Sequence, residues 1–333
     1  MKDDSPPENT VLTTAGLLRI YQNRSKSLVR TQQNVENEQL AVAPVVIASP
    51  DHRLRLGRMN KHPKDSRISF VEESHTYYLD GSVRFPLSVS AVWAKFFESF
   101  DPSKVIEKYF ARWSAESTSK YFSLIIDERR SGKKDNEIKQ SIASLWRHKG
   151  AAACIMGTHM HRQIELFLNA RDFDDSMPEL KQFLVFCKEF LHPRGWTPFR
   201  TEWAIYDESF MVAGQIDSIF KDETGRLHMI DWKRVEKDLC PDDGSCFGRH
   251  GTGPCSFLVD NQWSHYAAQL NLYATILSRN YGVAVTSMWL VQLHVNRSTF
   301  TAIEVPIFRE MAQSMLEQGC TRGASTQVKE PVS

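Results

Sequence analysis

The residues best suited to chemistry lie between Ala213 and Arg234, AGQIDSIFKDETGRLHMIDWKR. Two apolar runs, Met211 to Phe220 and Leu227 to Trp232, flank the polar stretch Lys221 to Arg226, the composition of a hairpin and its turn. Folding about Thr224 sets Asp217 opposite Asp231, because both lie seven residues from it. Strand side chains alternate with period two, so Asp217, Asp231 and Lys233 share one face, with Gln215 opposite Lys233. Ile216, Phe220, Ile230 and Trp232 take the other face, toward a core. Charges rarely enter apolar strands without a partner or a metal. Two adjacent carboxylates repel, and a divalent cation such as Mg²⁺ relieves the repulsion. The cation can then bind a phosphate oxygen and a water, while the Lys orients or deprotonates that water and offsets charge on phosphorus. A surface hairpin with a salt bridge would carry the same residues, and about one Asp-x-Lys is expected by chance in a chain this long. Glu137-Ile138-Lys139 illustrates this: it has the Glu-x-Lys form in a helical stretch with no acidic partner strand.

The elements around the hairpin carry further candidates. A helix from about Ala151 to Asn169 holds GTHMHRQIELFL. His161 and Glu165, four apart, share its face, beside a buried stripe of Met160, Ile164, Phe167 and Leu168. They fit either metal ligands or a hydrogen-bonded boundary pair, with His159 an exposed neighbour. Pro178 to Leu191 is an amphipathic helix with Pro178 in its first turn. Trp196 to Tyr206 is a strand holding Glu202, so three consecutive antiparallel strands carry Glu202, Asp217, Asp231 and Lys233. Val235 to Asp260 is irregular and holds Cys240, Cys246, His250 and Cys255. The spacings are not the short Cys-x2-Cys type, which favours a loop with incidental cysteines over zinc. Asn261 caps a helix from Gln262 to Arg279, where Gln269 and Tyr273 share a face. Strands at Val283 to Val295 and Thr299 to Val305 and a helix at Ile307 to Leu316 follow.

Residues 1–66 are rich in Pro, Ser, Asn and Gln with short apolar runs, and are expected to be disordered. Arg19, Arg24, Lys26 and Arg30 stand in an acid-free stretch from Val11 to Val35, but Asp3, Asp4 and Glu8 weigh against a mitochondrial presequence. Arg53, Arg55, Arg58, Lys61, Lys64 and Arg67 suit a solvated linker better than a DNA-contacting arm. Order is expected from Ile68, with a small hairpin (Ile68 to Val71, Thr76 to Leu79) and a helix capped by Ser88 or Ser90. Helical patterns follow at Ser103 to Trp113, Tyr121 to Arg130 and Asn136 to His148. A domain over 67–317 and a loose tail over 318–333 complete the organisation. The 333 residues carry 41% hydrophobic and 24% charged side chains, ordinary for a globular chain. A net charge of +1 gives no global nucleic-acid signature, so any such groove must be a local patch. No apolar run reaches a membrane span and no secretory h-region follows Met1. Six cysteines without paired short spacings fit a reducing compartment. The expected localisation is intracellular, with nucleus, cytoplasm and mitochondrion undistinguished.

The order of motifs is a helix with GTHMHRQIE, a strand with Glu202, the GQID strand, the DWK strand and a helix with Gln-x3-Tyr. This order resembles the PD-(D/E)XK phosphodiesterase superfamily, in its RecB-like exonuclease branch. The resemblance spans Ile68 to Phe308 and is clearest from Gly157 to Tyr273. It implies an α/β fold with a restriction-endonuclease-like core: a central mixed β-sheet flanked by helices, with a helical N-terminal portion. It implies that His161, Asp217 and Asp231 hold Mg²⁺ or Mn²⁺ and that Lys233 serves the water. Asp217, Asp231, Lys233 and Glu165 form the implied catalytic set. Gln269, Tyr273 and Glu202 support the site, the first two also meeting nucleic acid. Some relatives bind an iron–sulfur cluster through one early Cys and a close trio after the Gln-x3-Tyr helix. Here Cys240, Cys246 and Cys255 precede that helix and only Cys320 follows, so no cluster is expected. The proline of the superfamily name is absent, since Gln215-Ile216 precede Asp217. The expectation is a metal-dependent nuclease, an exonuclease acting on DNA (or RNA) in repair or recombination. The alternatives are a catalytically silent nucleic-acid-binding relative and a metallohydrolase of small phosphate esters.

Overall fold

The structure, a computed structural model, describes residues 10–22, 54–242 and 248–320. These fall into two compact units, Glu98–His159 and the rest of the described chain. The larger unit opens with α1 (residues 14–22) and α2 (Arg55–Met59). A small antiparallel sheet follows, of β1 (Ile68–Val71), β2 (Thr76–Leu79) and β3 (Val83–Arg84). Next come β4 (Leu87–Ser88) and α3 (Val89–Trp93), with Ser88 Oγ capping the helix by accepting from Ala91 N at 3.1 Å. The smaller unit contains α4 (Pro102–Ala115), α5 (Phe122–Arg130) and the first part of α6 (Asp135–Leu168). Its core is Ile106, Phe110, Ile125, Ile138 and Ile142. The larger unit resumes at Met160 and continues with α7 (Pro178–Phe186), β5 (Thr197–Asp207), β6 (Val212–Lys221) and β7 (Leu227–Lys233). It closes with α8 (Gln262–Asn280), β8 (Val285–Gln292), β9 (Thr301–Val305) and α9 (Arg309–Gly319).

The central sheet is mixed. Its strands run β5-β6-β7-β8-β9, with β7 and β8 parallel and the other pairs antiparallel. β4 adds two parallel pairs at the start of β6, Leu87 with Val212 and Ser88 with Ala213. Apolar residues at alternating positions feed two separate cores. Ile219, Met229, Met288 and Leu290 pack with side chains of α3, α8 and α9. Phe220, Ile230, Trp232 and Val291 pack with α6 and α7. Ile216, expected beside Trp232, belongs instead to the first core with Trp203, its cross-strand neighbour.

The hairpin register is the one Thr224 predicts: Ser218 faces Ile230, Phe220 faces His228 and Lys221 faces Leu227. Asp222 fixes the turn by accepting from Thr224 N and Arg226 N, both at 2.9 Å. Gly225 takes φ of 86°, a conformation that favours glycine. On its other side β6 carries Gly214, where an added Cβ would lie 2.7 Å from Tyr273 Cε1 and 2.9 Å from Val89 Cγ2. The glycine of the GQID motif is therefore the space that the tyrosine of the Gln-x3-Tyr motif occupies.

Several boundaries differ from expectation. α6 is one helix of 34 residues, where the sequence suggested separate helices around Gly150. Ala151 to Ala153 are strong helix formers, no proline intervenes, and an interior glycine costs only about 1 kcal/mol. The described residues of the expected domain divide between the two compact units. Parts of 1–66 are built into the larger unit: Leu17 and Leu56 are 2% and 3% exposed, and Thr14 Oγ1 donates to Trp196 O at 2.6 Å. These apolar runs are too short to show periodicity, yet each supplies one anchoring leucine. The basic stretch is also in use, since Arg67 pairs with Asp80 at 2.7 Å and Glu208 at 2.8 Å, and Lys64 with Glu208 at 3.4 Å. Helix α9 runs to Gly319 and Cys320 is buried, past the expected start of the tail. Arg24, Lys26, Arg30, Arg53 and the residues beyond Cys320 lie outside the described residues, as does most of the presequence reading.

Candidate metal centre

Where β6 and β7 leave their turn behind, their pairing stops at Ser218 and Ile230. The next positions are Asp217 and Asp231. With the ladder open, Trp232 N donates to Asp217 Oδ2 at 2.9 Å, so a carboxylate replaces the missing strand partner. Trp232 O in turn accepts from His161 Nε2 at 2.9 Å. A carbonyl cannot donate, so Nε2 carries the proton and Nδ1 is turned to the acids. Nδ1 lies 3.6 Å from Asp217 Oδ2 and 3.8 Å from Glu202 Oε1. Ligand atoms of His161, Glu202 and Asp217 all fall within 4.8 Å of one another. An imidazole oriented by a hydrogen bond from its far nitrogen is the usual arrangement of a metal-binding histidine.

Glu202 reaches this cluster through an irregular backbone. In β5, Thr201 pairs with Ser218 and Trp203 with Ile216, but Glu202 between them is skipped. Its φ is 42°, a conformation that costs a non-glycine residue of order 1 kcal/mol or more. Gln215 Nε2 donates to the displaced Glu202 carbonyl at 3.0 Å. Strain of this kind persists where surrounding structure imposes it, and it collects at functional sites.

Asp231 is apart from that trio. Lys233 Nζ stands 2.6 Å from Asp231 Oδ2, an ion pair that meets the charge of that buried oxygen. Burial raises the Asp231 carboxyl well above the ordinary range, against the pull of Lys233, and Asp217 pushes it further. Burial also raises Glu202, opposed by its bond to His161 and reinforced by Asp217. For His161, burial disfavours the charged ring, but Asp217 and Glu202 outweigh it and raise the imidazole to about 9. Lys233 follows the same logic: burial works against the ammonium, and Asp231 and Asp217 more than restore it. Carboxylates crowded together in this way would take a cation readily.

The residues predicted from sequence divide as follows. His161 and Asp217 meet, and Glu202, expected only as support, joins them directly. Asp231 and Lys233 adjoin each other. Glu165 is 5% exposed and is engaged by Arg162, one turn back on α6. Gln269 Nε2 donates to Tyr273 Oη at 3.1 Å, and Tyr273 is 5% exposed, so its ring is core rather than open surface. Burial raises the Tyr273 hydroxyl well above its ordinary range, with Asp217 and Asp231 adding to the effect. Cys255 is a buried thiol pushed up to about 12 by burial, Cys240 is half-buried and His250 is exposed. Cys246 lies outside the described residues. The helical Glu137 and Lys139 belong to the smaller unit, where Lys139 pairs with Glu107 and Glu137 accepts from Lys134 N.

The sequence reading missed Trp232. Its alternation marks it as core, and its ring is indeed 1% exposed, edge-on to Phe183 and Phe186 at 5.4 and 5.5 Å. Its indole Nε1 donates to Ser218 Oγ at 3.0 Å. That anchoring fixes the peptide groups that hold both Asp217 and His161. The only available signal was its place between the two residues Asp231 and Lys233.

No family model matches the chain, and no curated protein matches it. Among solved structures it is similar to the crystal structure of SSO0001, at 17% identity and a TM-score of 0.23. That match covers 42% of this chain and 55% of the other, so the chain spans little more than half of SSO0001's length. No helix among the described residues is long and apolar enough to cross a membrane.

Proposed function

We propose that the chain is a divalent-metal-dependent nuclease of the PD-(D/E)XK type, with a restriction-endonuclease-like core, that hydrolyses DNA phosphodiester bonds from an end. The observation that carries this reading is the convergence of His161, Glu202 and Asp217 beside the Asp231–Lys233 pair, where one hairpin opens. The mixed sheet and the close fit of Gly214 against Tyr273, which joins two of the motifs, support it. The donor set fits a hard cation: carboxylate oxygens with one imidazole suit Mn²⁺ or Mg²⁺, and Asp231 beside them offers a further carboxylate. His161, Asp217 and Glu202 would hold the cation, with Asp231 at its edge. When bound, it supplies Lewis-acid polarisation of a phosphate oxygen and a more acidic water.

The rest of the work falls to the chain. Lys233 keeps its proton, so it acts by donating: it orients a water or offsets charge growing on the phosphate oxygens. Asp231 holds that ammonium at 2.6 Å. Trp232 fixes the separation of His161 and Asp217 through its own N–H and C=O. Tyr273 and Gln269 brace β6 from the α8 side. Incubation with end-labelled and with circular DNA, in Mg²⁺, in Mn²⁺ and in EDTA, tests the reading. Metal-dependent release of nucleotides from the linear substrate alone is expected. Lack of cleavage of either DNA with either metal would refute it, and nicking of the circle would refute action from an end.

A further inference from the structure

The Lys233 ammonium has a second neighbour besides Asp231. It sits 4.3 Å from the ring centroid of Tyr266, within the range of a cation–π contact. Tyr266 lies on α8, one turn before Gln269, and its half-buried ring packs against the first core. Lys233 is the last residue of β7, and its side chain is 15% exposed. A lysine stem has four rotatable bonds, and an ammonium released by its carboxylate swings toward water unless something else holds it. Asp231 is the partner that a bound cation would compete for. An aromatic face differs from a carboxylate in a useful way: it attracts the charge without fixing any N–H, leaving all three to donate.

We propose that Tyr266 is a positioning residue for Lys233, its ring face keeping the ammonium at the hairpin opening when Asp231 is drawn elsewhere. This rests on the nuclease reading and adds to it a group outside the five motifs. The role belongs to the ring and not to the hydroxyl, so Tyr266→Phe should behave as wild type. Tyr266→Leu and Tyr266→Met should lower kcat for oligonucleotide cleavage roughly ten-fold, with KM little changed.

The test pairs that kinetic series with proton NMR of the protein in EDTA. There the ring current of Tyr266 should displace the Lys233 ε-methylene protons upfield, as identified by their loss in Lys233→Ala. The displacement should persist in Tyr266→Phe and vanish in Tyr266→Leu or Tyr266→Met. Wild-type cleavage that continues at full kcat in Tyr266→Leu or Tyr266→Met overturns the inference and leaves the nuclease reading standing. So does a wild-type spectrum without the upfield protons, which needs no variant to fold. A wild-type protein that cleaves no DNA refutes the nuclease reading itself, and this inference with it.

Discussion

The two ends of the β6–β7 hairpin each gather charged side chains, and they treat them in opposite ways. At the turn, Asp222 is surrounded by donors. Its Oδ1 accepts from Thr224 N, Thr224 Oγ1 and Arg226 N, and its Oδ2 from Arg226 Nε and from His228 at 3.3 Å. Burial alone would raise this carboxyl, but those bonds hold it well below the usual carboxylate range. His228 is likewise satisfied: its Nδ1 meets Ser287 Oγ at 2.8 Å, and its ring stacks on Trp196 at 3.9 Å. An Asp–His–Ser row that could pass for a catalytic triad is thus a turn whose polar groups serve one another. At the open end, burial and crowding raise Glu202 and Asp231, and Glu202 holds a strained backbone. An acidic cluster whose donors hold its carboxyl low is structure, and one whose carboxyls are raised by burial and crowding is a candidate for a ligand.

The largest effect should come from the open end. Lys233→Ala should slow DNA cleavage roughly 10²–10⁴-fold while the protein still binds DNA and Mn²⁺, as read by single-turnover kinetics and titration calorimetry. Asp231→Asn should also lose activity, with a weaker metal dependence in whatever remains, because a neutral amide is a poorer ligand for a hard cation.

A pH series sharpens the contrast. His161 holds its proton up to about 9 rather than the ordinary 6.5, so its ion pairs stabilise the metal-free fold fully below about 6.5. That contribution, about 3 kcal/mol, is lost as pH rises through about 9. A cation needs Nδ1 free of its proton and the carboxyls ionised, so its affinity should rise over the same interval. The increase in melting temperature caused by Mn²⁺ should therefore grow from pH 6 to pH 9, and His161→Gln should flatten the trend. A thermal-shift series across that range measures both.

At the turn, Asp222→Ala should lower the melting temperature by a few degrees and leave the turnover of folded protein unchanged. A loss of kcat there would erase the distinction between the two ends. The smallest effect belongs to the helical Glu-x-Lys: Glu137→Gln and Lys139→Ala should stay within about 0.5 kcal/mol of wild type in urea unfolding and cleave at the wild-type rate.

These contrasts also mark what a reader of the sequence can see. The register of the hairpin up to Ser218 and Ile230, the positions just before Asp217 and Asp231, was legible, because a turn centre and a period of two leave no freedom. The caps at Ser88 and Asn261 were legible for a similar local reason. The direct part taken by Glu202 was not, since it depends on one residue leaving the β5 ladder. Nor was Trp232, whose contribution to the site is made by peptide groups common to every residue. The smaller helical unit escaped notice because α6 runs unbroken across the boundary, with no composition change to mark it. The anchoring leucines of the first 66 residues were hidden by the polar stretches around them.

The most direct test of the central claim is anomalous diffraction from crystals grown with Mn²⁺, recorded at the manganese edge. The account predicts a peak at about 2.0–2.3 Å from His161 Nδ1 and from oxygens of Asp217 and Glu202. An empty opening at millimolar Mn²⁺, or a peak at Asp222 and His228 instead, would contradict it.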